Sequence, residues 1–66
     1  MSTMEITKTK EDHYHVEVRD LLIEEDVNDI QLRGMIQGRT TSKTWQEVQA
    51  VLDSQPVGYV MNIEYQ

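Results

Sequence analysis

His13 and His15 are separated by one residue in HYHVEV. On a strand, that spacing sends both imidazoles out of the same face. Asp12 and Glu17 stand beside them. Two imidazoles and a carboxylate are the start of a divalent-metal site. A third histidine and any cysteine are missing. The pair is therefore read as part of a polar outer sheet face, and no metal or other cofactor is expected. Glu24, Glu25 and Asp26 are the densest carboxylate run. Paired carboxylates do acid–base chemistry when burial keeps one of them protonated. This run reads as exposed. Ser2, Ser42 and Ser54 have no base placed to activate them. No enzymatic activity is expected.

Charge along the chain points to binding instead. Residues 11–29 hold eight acids and one base, Arg19, a local charge of −7. Residues 30–46 hold Arg33, Arg39 and Lys43 and no acid, a local charge of +3. The net of −6 disfavours duplex nucleic acid as a ligand, because phosphate binding needs clustered Lys and Arg. An acidic block can steer and select a basic partner surface. Glu24, Glu25, Asp26 and Asp29 are the candidate protein-binding residues. The alternative is a small-anion or nucleotide module in the loop Gly38–Thr44. There Arg39, Thr41, Ser42 and Lys43 precede a helix start, whose free N–H groups favour anions. A second alternative is single-stranded nucleic acid held by Arg33, Arg39, Lys43 and a stacking Trp45. Trp45 at the start of a helix also suits a core or interface anchor.

The elements that must position these groups follow from periodicity. Thr3 to Thr9 alternates about Met4 and Ile6, and a polar break at 10–12 suggests a hairpin. His13 to Arg19 alternates Tyr14, Val16 and Val18 against His13, His15, Glu17 and Arg19. Residues 20–28 fit an extended strand, a turn or a helical turn; Asn28 and Asp29 favour a turn. A third strand is expected over Asp29 to Gln37, with Ile30, Leu32 and Ile36 on one face and Gly34 marking a bulge. Thr44 with Glu47 is a capping box that opens a helix running to about Ser54. Trp45, Val48 and Leu52 form its apolar stripe. Pro56 ends the helical region, and Val57 to Tyr65 alternates as a last strand.

The expected fold class is α+β, a single small domain over 1–66. Its order is β-β-β-α-β, a mostly antiparallel four-stranded sheet with one helix on its apolar face. The last strand could pair beside the first or elsewhere. The polar face would carry His13, His15, Glu17, Arg19, Gln31, Arg33, Met35, Gln37, Asn62 and Glu64. The β-β-β-α order, YHVEVRDL in the second strand and GRTTSKTWQEV leading into the helix resemble the small HicB-type antitoxin domain. The acidic stretch 20–29 and a full third strand depart from its pattern. The resemblance covers about half the chain and implies a fold used for binding.

A chain of 66 residues with 38% hydrophobic content and no Phe has a thin core. Without disulfides, association into a homodimer is the expected remedy. No apolar run has signal-peptide or membrane-span length, so a cytoplasmic setting without a membrane partner is expected. The functional expectation is a small acidic regulatory module that occludes a protein partner's surface. Such chains are common among accessory proteins of phages and other mobile elements.

Overall fold

A computed structural model describes residues 2–66. The strands are β1 (Ser2–Lys10), β2 (His13–Val18), β3 (Ile23–Asn28) and β4 (Val60–Tyr65), and the helices are α1 (Asp29–Gln37) and α2 (Trp45–Ser54). A single 3-10 turn, Arg19–Leu21, joins β2 to β3. All neighbours in the sheet are antiparallel, in the order β3-β2-β1-β4. The α+β class and the four-stranded antiparallel sheet are as expected. The helix count is two, not one.

The extra helix is the main correction. Asp29 to Gln37 is α1, not a third strand. Asn28 caps it: the Gln31 N–H donates to Asn28 Oδ1 and the Asn28 N–H donates to Gln31 Oε1, both at 2.9 Å. This is a reciprocal capping box. Leu32 and Ile36 are buried one turn apart, Met35 packs beside them, and Ile30 is 80% exposed. The third strand is Ile23–Asn28, within the stretch whose sequence left three possibilities open. Gln31, Arg33, Met35 and Gln37 therefore lie on a helix, not on the polar sheet face. Gly34 makes no bulge; it lies inside α1.

Helix α2 starts where its cap predicts. The Glu47 N–H donates to Thr44 Oγ1 at 3.3 Å. Trp45, Val48 and Leu52 are buried, with Val51 packed beside them. The last strand starts at Val60, three residues later than expected, because Pro56–Tyr59 is a turn closed by Tyr59 N–H to the Pro56 carbonyl at 3.2 Å. Gly58 holds φ 96° there, a value that favours glycine as the third residue of such a turn.

Met4, Ile6, Tyr14, Val16, Val18, Val27, Met61, Ile63 and Tyr65 point from the sheet into a core completed by the buried residues of α1 and α2. Lys8 continues the alternation of β1 and is also buried, at 1% exposure. Its Nζ donates to the carbonyls of Leu52 (2.8 Å) and Gln55 (2.9 Å) at the end of α2. The positive charge meets the negative end of the helix dipole and satisfies carbonyls the helix leaves free.

Candidate functional site: an open acidic sheet face

The alternation that buries one side of the sheet sends Glu5, His15, Glu17, Glu24, Asp26, Asn62 and Glu64 to the other side. Strand register then sets who meets whom. Glu5 is opposite Glu17 and Asn62, and Glu17 is opposite Glu24. Three carboxylates thus form one row across three strands. In the next row His15 lies between Thr7 and Asp26. Like charges directly opposite are destabilising, so the row needs a counter-charge.

His15 supplies it. Its Nδ1 lies 2.8 Å from Asp26 Oδ1, and its Nε2 lies 3.0 Å from Glu24 Oε1 and 3.7 Å from Glu17 Oε1. Ionised carboxylates only accept hydrogen bonds. Both contacts are hydrogen bonds only when the ring is protonated and each nitrogen donates. The hydrogen bond His15 donates to Asp26 is the largest cause holding the His15 pKa above its usual value; burial opposes it and Glu24 adds to it. Arg19 adds little, since its contact with Glu5 is 3.9 Å long and exposed.

Ligand atoms of His15, Glu17 and Glu24 lie within 4.8 Å of one another. Spacing alone would admit a divalent cation. A cation there would have to displace the proton that the neighbouring carboxylates favour on the ring. No metal ligands are assigned here. His13, two residues along, turns to its own loop, with Nδ1 2.9 Å from the Glu11 carbonyl.

The structure divides the acidic residues singled out in the sequence. Glu24 and Asp26 join the open face. Glu25 is opposite Val16 on the helix side of the pleat, yet exposed because β3 is the sheet edge. Asp29 is the first residue of α1, and its Oδ1 is sealed from solvent without a hydrogen-bond partner among the described residues. It belongs to the core margin near Tyr14, whose hydroxyl burial pushes well above its usual range, with the Asp29 charge adding to the effect. Sequence reasoning placed Glu17 and Glu64 on the polar face and turned Glu5 away from Met4 and Ile6, but did not count Glu5 among the polar-face residues. The signal was present, since Glu5 lies between Met4 and Ile6 in an alternating strand.

The loop Gly38–Thr44 uses its groups internally. Arg39 Nη1 donates to the Met35 carbonyl at 3.1 Å, and its guanidinium lies 5.5 Å from the Tyr65 ring centre. The Ser42 N–H donates to the Glu64 carbonyl at 2.8 Å, and Ser42 Oγ accepts from the Glu64 N–H at 3.2 Å. Thr41 Oγ1 donates to the Lys43 carbonyl. This loop covers part of the outer edge of β4, and Thr41 bridges to Tyr65. The Tyr65 hydroxyl donates to Asp20, a bond that holds the Asp20 carboxyl below the usual range. Trp45 is 7% exposed and packs in the core, so its ring is not available for base stacking.

Comparison with protein families, with curated proteins and with solved structures finds no match. No helix among the described residues is long and apolar enough to cross a membrane.

Proposed function

We propose that this chain is a small acidic binding module that engages a basic surface of a protein partner through its open sheet face and so occludes it. One observation carries the reading. Glu5, Glu17, Glu24, Asp26 and Glu64 project from a sheet face that neither helix covers. The rigid ladder sets their spacing, about 4.8 Å between strands and about 6.6 Å between same-face residues on a strand. A preformed array of this kind attracts Lys and Arg and selects against acidic surfaces. The commitment of Arg39, Thr41 and Ser42 to internal bonds favours this reading over an anion-binding loop.

The test uses the intact chain as bait in extract from its native host, with captured proteins identified by mass spectrometry. The purified partner is then titrated against the chain and against Glu5→Gln/Glu64→Gln, which leaves the surroundings of His15 intact. Capture should weaken with added salt. The double variant should bind more weakly at low salt, by about two- to fivefold per carboxylate removed. Unchanged affinity, or binding indifferent to salt, would refute the proposal.

A further inference from the structure

We propose that His15 is a protonation-operated clasp that holds the edge strand β3 on β2. The argument begins with how weakly β3 is otherwise anchored. Its apolar contribution comes from Val27, and from Ile23 in part, near its two ends. Between them Glu24, Glu25 and Asp26 are all exposed. Among the described residues only β2 pairs with β3, and the pair Glu17–Glu24 across that seam is repulsive.

The ring of His15 bridges this seam. It reaches Asp26 and Glu24 on β3 with one nitrogen each while lying 3.7 Å from Glu17 on β2. The titratable groups on its face are Glu5 of β1, Glu17 and His13 of β2, Glu24 and Asp26 of β3 and, further off, Glu64 of β4; Lys10 pairs with His13 at the strand end and Arg19 lies beyond Glu5. Both helices are on the opposite face of the sheet. The surroundings are therefore mainly anionic, and the proton on His15 is what makes the seam attractive.

Loss of that proton reverses the sign of one contact. A neutral imidazole keeps one N–H, and its other nitrogen presents a lone pair to a carboxylate. The Glu17–Glu24 pair also loses its counter-charge. The folded-state pKa lies above the unfolded value. The clasp's stabilisation is thus full below the unfolded value of about 6.5 and is lost as pH rises through the folded value. The middle of β3 should loosen first, without unfolding of the sheet.

The test combines NMR titration of the His15 ring with amide hydrogen exchange across a pH series, corrected for intrinsic exchange. The expected result is a His15 transition above the ordinary histidine range. Protection of those amides of residues 24–26 that bond to β2 should fall through that same transition, while β1 keeps its protection. His15→Gln should remove the pH dependence of β3 protection. Asp26→Asn should lower the His15 midpoint and move the loosening with it, a readout that stands if His15→Gln does not fold. A midpoint at or below the ordinary value, or loosening that stays in place in Asp26→Asn, overturns the proposal. So does pH-dependent loosening that persists in a folded His15→Gln. None of these readouts involves a partner, so the clasp and the binding function fail separately.

Discussion

At the scale of single residues, Lys8 shows how a strand pattern can carry a charge inward. Met4, Ile6 and Lys8 share one face of β1, and all are buried. The lysine is tolerated because its ammonium meets the carbonyls of Leu52 and Gln55. The nearby Glu11 carboxylate, 3.4 Å away, is exposed and contributes little. Lys8→Met keeps the length and the apolar stem but leaves both carbonyls without this donor. Hydrogen bonds to charged groups contribute about 1.5–3 kcal/mol each, and the apolar gain of methionine offsets part of the loss. The expected cost is about 2 kcal/mol, measured by urea denaturation. An unchanged midpoint would show that the ammonium does not hold the end of α2. The sequence offered one clue to this role, the position of Lys8 in the alternation. Its partners lie more than 40 residues away, and local pattern is blind to such distances.

Element identity was legible where period and cap agreed. In β1, β2, β4 and α2, alternation or an i, i+3, i+7 stripe coincided with suitable ends. Around α1 the two signals conflicted. Ile30, Leu32 and Ile36 fit period two, whereas Leu32, Met35 and Ile36 fit a helix. The deciding feature is the Asn28–Gln31 capping box, which has the same spacing as Thr44–Glu47 and could have been read from the sequence. Once residues 29–37 are helical, the third strand must lie earlier. Glu24 and Asp26 then come beside His15, so misreading one element concealed the site. Gly34 tests the assignment. It lies on the exposed side of α1, where an added Cβ would meet nothing within 4 Å. Gly34→Ala should therefore stabilise the fold by about 0.5–1 kcal/mol, seen as a higher Tm. A destabilised variant would contradict a helix with an open face at this point.

For the molecule as a whole, the charge of −6 resolves into two unlike sides. The helix side closes the core and mixes Arg33 and Lys43 with Glu25, Asp29, Glu47 and Asp53, while the bare sheet side gathers Glu5, Glu17, Glu24, Asp26 and Glu64. A homodimer was the expected answer to a thin core. The structure shifts the basis of that proposal, because two helices rather than one close the apolar side within a single chain. A second copy would instead cover Leu21 (51% exposed) and Leu22 (92%), in the turn that leads into β3. Leu22 also holds φ 52°, a conformation costly for a residue with a side chain. Face-to-face association of two open sheets is opposed by their charge, so a dimer that uses these apolar residues must leave the acidic face free. The proposal predicts twice the monomer mass by sedimentation equilibrium and a Tm that rises with protein concentration. It further predicts that Leu22→Asn shifts the equilibrium toward monomer, because asparagine accepts the same backbone angle while removing apolar surface. A monomer mass at high concentration, with a Tm indifferent to dilution, would exclude the dimer and leave the acidic face as the molecule's one extended candidate surface among the described residues.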